Sequence, residues 1–153
     1  MLRLTPLILA AVLSLTLHAY DAQKAALFHG YYQNFTQERL AASTLFADAE
    51  EVIALLQTPQ PPLLLDVRTE AEAAVAGLTL DNALFIPLER LFTPESLDRL
   101  PEDRTIVIVC HSGVRAAMAA TALQMSGIRN VRVLKGGLSA LALAATPAAL
   151  PHR

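Results

Sequence analysis

A single cysteine in 153 residues excludes an internal disulfide. Basic residues are in no surplus either: 12 Lys and Arg stand against 14 Asp and Glu. That balance provides no basic stripe and excludes nucleic-acid binding by a charged face. The four histidines, His18, His29, His111 and His152, show no ligand spacing, so no metal and no other cofactor is expected. No internal repeat or low-complexity stretch breaks the chain, whose 54% hydrophobic content excludes a disordered polymer. One domain fits the length.

The longest apolar run, Pro6 to Leu17, falls short of the ~20 residues of a membrane span. With Arg3 before it and Leu17-His18-Ala19 at its end, it reads as a secretory signal peptide over residues 1–19, the alternative being an uncleaved N-terminal anchor. No cysteine lies near this leader to carry a lipid. A periplasmic or secreted protein is therefore expected. An unpaired cysteine in such a protein points to a reactive thiol.

Residues 20–42 form an extension that holds all three tyrosines. Phe28, Tyr31, Tyr32 and Phe35 fall on one face of a helix, either a packing face or a docking surface for a partner. Beyond it, helix and strand signals alternate. Asp48-Ala49-Glu50-Glu51 has the form of a capping box for a helix to about Gln57. Leu63–Asp66, Ala83–Ile86, Thr105–Val109 and Val131–Leu134 read as strands. Short helices are expected over 70–76, after Thr93-Pro94, over 114–125 and over 138–145, the last ended by Pro147. Apolar strands alternating with helices predict a three-layer α/β/α domain over residues 43–153, with a mostly parallel central sheet.

The strand Thr105–Val109 ends in Cys110-His111-Ser112-Gly113-Val114-Arg115, which opens the helix that follows. That edge of an open α/β sheet is where ligands bind. A helix N-terminus offers free N–H groups and favours negative charge by about 0.3–1 kcal/mol, so Cys110 is expected to react as the thiolate. Gly113 lets the loop turn, and Arg115 supplies a planar charged fork for oxyanions or, alternatively, pairs with Asp66 or another acid. His111 and Ser112 line the cup, Ser112 with the further option of capping the helix. Four residues separate Cys110 from Arg115. Cysteine phosphatases place five there, and a five-residue gap would end here at Ala116.

Cys-x-x-Gly-x-Arg after an apolar strand resembles the active-site loop of the rhodanese family of sulfurtransferases. Three further segments match in order: Leu63-Leu64-Leu65-Asp66-Val67-Arg68-Thr69, Phe85-Ile86-Pro87-Leu88 and Val133-Leu134-Lys135-Gly136-Gly137. The resemblance spans about residues 43–147. Two departures touch packing near the site: no histidine follows Gly77, and Leu141 stands where the family often has tryptophan. The resemblance implies the rhodanese fold and a Cys110 persulfide, formed from a small anionic donor such as thiosulfate and passed to a thiol, to cyanide or to a partner protein. It implies that loop amides from His111 through Gly113 and Val114 to Arg115 bind the donor, with Asp66 and Arg68 bracing from the neighbouring strand. Lys135 reads as solvated. A monomer is expected. A periplasmic sulfur carrier and a non-catalytic rhodanese-like binding module are the alternatives, and intact Cys110 and Arg115 argue against the second.

Overall fold

The computed structural model describes residues 19–145. The leader expected over 1–19, apart from Ala19, lies outside the described residues, as does Pro147. Two compact units separate between Arg39 and Leu40.

In the first, Asp21 caps helix α1 (Ala22–Tyr32), its carboxylate accepting the N–H groups of Gln23 and Lys24 at 3.0 Å. The helix ends at Tyr32, so Phe35 is not on it and the expected four-residue stripe is cut short. The rings of Tyr31, Tyr32 and Phe35 instead gather around the turn, with centroids 4.9–5.2 Å apart. A short helix α2 (Gln37–Ala41) leads into the second unit.

The second unit contains β1 (Phe46–Ala47), α3 (Ala49–Leu56), β2 (Leu63–Asp66), α4 (Glu70–Val75), β3 (Ala83–Phe85), α5 (Pro94–Leu97), β4 (Ile106–Val109), α6 (Val114–Met125), β5 (Val131–Leu134) and α7 (Gly137–Ala144). A single 3-10 turn, Leu88–Arg90, links β3 to α5. The five strands form one sheet in the order β1-β5-β4-β2-β3, and every pairing is parallel.

The strands β2 and β4 are buried at every residue, as a parallel sheet covered on both faces requires. Alternation still sorts their side chains. Leu63, Leu65, Ile106, Ile108, Val131 and Val133 face a core closed by Ala116, Ala119, Ala120 and Leu123 of α6, together with Leu91 and Leu100. Leu64, Val107, Val109 and Leu134 face the other core, closed by Val52 of α3 and by Leu138 and Leu141 of α7. Each fully buried Leu or Ile contributes about 1.5–3 kcal/mol of transfer free energy. The α6 core face is mostly alanine, which lets the helix approach the sheet closely. Leu141, at the position where tryptophan was missing, fills part of the α7 side.

One strand is added to those expected, and the expected cap of α3 is corrected. The strand β1 has only two residues and carries no apolar run to announce it; it pairs with β5 at the sheet margin. Asp48 is the N-cap of α3, yet its side chain makes no cap hydrogen bond; it turns to Lys135 Nζ at 3.2 Å. The capping box forms at α4, where Thr69 Oγ1 accepts the Glu72 N–H and Glu72 accepts the Thr69 N–H. Lys135, read as solvated, is exposed but paired.

The topology puts one crevice ahead of the others. Adjacent strands β2 and β4 send their connections in opposite directions, β2 toward β3 and β4 toward β5. Ligands in open α/β sheets bind at such a switch point, outside the strand C-termini. Asp66 pairs in register with Val109, so Asp66-Val67-Arg68 and the segment from Cys110 leave the sheet together.

Candidate active site

Cys110 follows the last residue of the central strand β4. It is 1% exposed, so its thiol sits at the floor of the loop. The Gly113 N–H points at Cys110 Sγ from 3.1 Å. Gly113 has φ 94°, a left-handed conformation that a residue with Cβ adopts only with strain, and it is the N-cap of α6. Ser112, considered as the cap, is therefore displaced from that position by the residue after it. No side chain caps α6. The first N–H groups of this 12-residue helix are left for the sulfur and for whatever anion approaches it. His111, Ser112 and Val114 are exposed at the rim.

The loop is held from below by a second glycine turn, whose bracing role the sequence reading missed. Gly136 and Gly137 both have positive φ and open α7. A Cβ on Gly137 would collide with the carbonyls of Cys110 and His111. The backbones are that close because α7 donates to the loop: Leu138 N–H to Cys110 O at 2.8 Å, Ser139 N–H to His111 O at 3.2 Å, and Ser139 Oγ to the same oxygen at 3.0 Å. With their carbonyls tied to α7, these loop peptides present their opposite sides to the cup.

Asp66 and Arg68 brace the neighbouring strand end. Both are buried. Arg68 donates from Nε and Nη2 to the Asp66 carboxylate, at 2.6–3.1 Å, and from its backbone N–H at 3.0 Å. Nη2 also reaches Ala76 O at 2.7 Å, which ties the end of α4 to β2. The pair with Asp66 raises the Arg68 guanidinium above its ordinary pKa.

Arg115 does not meet Asp66. Its fork closes on Glu72, Nη1 to Oε2 and Nη2 to Oε1, both at 2.6 Å. Glu72 was not among the expected site residues. Its carboxylate also accepts the Thr69 N–H at 3.0 Å and Thr69 Oγ1 at 2.9 Å, so it is fixed by four donors. Hydrogen bonds from Arg115 first, and from Thr69 next, hold Glu72 far below the usual carboxylate range. Arg115 rises in turn, chiefly through Glu72, with smaller contributions from the nearby Cys110 sulfur. The signal available in the sequence was Thr69-x-x-Glu72, a capping box that places Glu72 at the third position of α4.

Among the described residues, no group of three or more His, Cys, Asp or Glu side chains could hold a metal. No described helix is long and apolar enough to cross a membrane.

A buried thiol at the tip of a central parallel strand, under the uncapped N-terminus of a helix, defines a parallel α/β domain with a cysteine loop at the ligand-binding edge of its sheet. Comparison with known proteins narrows that class. The rhodanese-like domain family matches residues 48–144, and the chain belongs to it. A sulfurtransferase of Allochromatium vinosum is 34% identical over 105 residues, covering 69% of this chain and 94% of that one. The probable adenylyltransferase/sulfurtransferase MoeZ of Mycobacterium tuberculosis is 38% identical over 79 residues, 52% of this chain but only 20% of its own length. Among solved structures, a rhodanese-like domain protein from Staphylococcus aureus superposes with a TM-score of 0.56 at 29% identity, covering 63% of this chain and 89% of that one.

Proposed function

We propose that this protein is an exported sulfurtransferase that carries sulfane sulfur as a persulfide on Cys110. The observation that carries the reading is the Gly113 N–H on Cys110 Sγ at the mouth of an uncapped helix, in a chain of the rhodanese-like family. The Cys110 thiolate attacks the outer sulfur of a donor. With thiosulfate, the S–S bond breaks, sulfite leaves with the bonding pair, and Cys110 holds the sulfur as a persulfide anion. An acceptor such as cyanide or a thiolate then attacks that terminal sulfur and returns Cys110 as thiolate. Inward loop amides offset negative charge on the sulfur throughout, and they do so without reorganising. Asp66 and Arg68 take no part in bond making; they hold the edge on which the loop stands. The leader of Arg3 and the Pro6–Leu17 run supports export, with a mature chain beginning near Tyr20.

Intact-mass spectrometry of protein recovered from a periplasmic extract tests both parts. The expected mass is that of a chain starting near Tyr20, which gains one sulfur atom after treatment with a donor and loses it to cyanide. Cys110→Ser abolishes the gain and the turnover. Persistent sulfur transfer by that variant would remove Cys110 from the mechanism, and a chain that starts at Met1 and pellets with membranes would replace export by anchoring.

A further inference from the structure

Four cationic side chains belong to the loop side of the sheet, and each is matched by a carboxylate. Arg68 pairs with Asp66, Arg115 with Glu72, Arg90 with Glu70, and Lys135 with Asp48. A dianion approaching Cys110 therefore meets backbone amides and no uncompensated cation from this set. The pairing at Arg115 matters most, because Arg115 is the cation of the loop itself. Both of its terminal nitrogens are committed to Glu72 at 2.6 Å. Glu72 cannot swing aside freely, since the backbone and hydroxyl of Thr69 hold the same carboxylate in the first turn of α4.

We infer that Glu72 is a specificity-determining residue, which neutralises Arg115 and turns the site away from dianionic donors toward thiol persulfides. The inference rests on the persulfide reading of Cys110 and names the donor class for that same site. Thiosulfate brings two negative charges to an edge whose loop cation is already spent. It must displace Glu72 or bind on amides alone, beside a fixed carboxylate. A thiol persulfide that reacts as R–S–SH presents a neutral sulfur pair to the loop, with any charge of R held away from the reacting sulfur. The Cys110 thiolate attacks its outer sulfur, the S–S bond breaks, R–S⁻ leaves with the electron pair, and the proton stays on the new persulfide. That exchange balances without an oxidant or reductant, and it makes no demand on Arg115 for sulfonate-like oxygens.

Charges a few ångströms apart near a surface interact strongly enough to alter affinity by roughly tenfold or more, and added salt weakens them. The experiment compares thiosulfate with glutathione persulfide as donors, cyanide as acceptor, in the full-length mature protein. Wild type is expected to show the higher kcat/KM with the persulfide. Glu72→Gln is expected to lower KM for thiosulfate and to raise the thiosulfate-to-persulfide ratio of kcat/KM by about tenfold. The rise should shrink as ionic strength increases from about 0.01 M to 0.5 M. Thr69→Val keeps the carboxylate but removes the hydroxyl that helps fix it. It should move the ratio the same way by a smaller factor, and it keeps the test decisive if Glu72→Gln melts below the assay temperature. A purely structural Glu72 would weaken both donors together and leave the ratio where it was. That result, or a ratio that falls, overturns the inference while sulfur transfer stands. Sulfur uptake from neither donor by wild type overturns the sulfurtransferase reading, and the inference with it.

Discussion

Two arginine–carboxylate pairs stand on one edge of the sheet, within electrostatic reach of each other, and they do different work. In Asp66–Arg68 the side chains are 3% and 6% exposed, the partners are two residues apart, and the guanidinium also binds a helix end. In Glu72–Arg115 they are 34% and 31% exposed, the partners are 43 residues apart, and the contact links α4 to the Cys110 loop. A pair withdrawn from water cannot be exchanged for a ligand without leaving a charge uncompensated in the interior. A pair one-third exposed adds little to stability and is screened by solvent and salt, yet it still occupies the groups it joins. The first pair is frame. The second is the part of the frame a substrate can contend with.

The largest effect that would break this comparison is on the buried pair. Arg68→Ala leaves the Asp66 carboxylate buried with one backbone N–H and strips the end of α4 of its tie. The expected cost is about 3–5 kcal/mol, a fall in Tm of roughly 10–20 °C. Changing Asp66 to Asn together with Arg68 to Met should cost less than Arg68→Ala alone, because no lone charge is left behind. Thermal unfolding by circular dichroism decides it. Additive costs for the two positions, or a loss of activity with no loss of stability, would place Arg68 in the chemistry and erase the distinction.

The two pairs also differ in how far the sequence announces them. Asp66 and Arg68 sit at the end of four consecutive leucine-and-acid strand residues, and the strand bounds Leu63–Asp66 are the same in sequence and structure. The runs Val131–Leu134 and Val114–Met125 are equally legible, because branched apolar runs and an alanine-rich run between glycines admit little else. Cys110 was placed by the same logic: a strand tip followed by Gly113 has one edge to occupy. The partner of Arg115 was not legible. Asp66, Glu70 and Glu72 all leave the same strand end, and only the path of α4 decides which one reaches a loop 43 residues away. Neither was β1, whose two residues are strand only because β5 lies beside them. The glycine turn at 136–137 was read as a motif, but its contact with the Cys110 and His111 carbonyls belongs to tertiary packing.

That contact is where frame and chemistry meet, and it supplies the second test. Gly137→Ala requires a left-handed residue with a side chain, at about 1–2 kcal/mol, and pushes its methyl into the loop carbonyls. The loop must move, and with it the amides that face the sulfur. A displacement of about 1 Å costs roughly a hundredfold in rate. The expected outcome is therefore a kcat lower by ten- to a hundredfold with a Tm shift smaller than that of Arg68→Ala. Equal Tm losses with an unchanged kcat would show that the loop tolerates repositioning, and that the glycine turn only completes α7.

The smallest effect concerns acid. Glu72 titrates in the folded protein far below its ordinary value of 4.5, held down first by Arg115 and then by Thr69. As pH falls past 4.5 the unfolded chain takes up the proton before the folded one does, so stability drains toward the unfolded state. The contribution of Glu72 is thus fully present above 4.5 and is lost progressively below it. Arg115 stays charged throughout, so the carboxylate alone sets the window. Since the pair is one-third exposed, the Tm difference between wild type and Glu72→Gln should be only a few degrees at pH 7. It should shrink steadily between pH 5 and pH 3. A gap that stays constant across that range would mean the Glu72 proton is not coupled to folding. The contact with Arg115 would then hold the loop by shape rather than by charge.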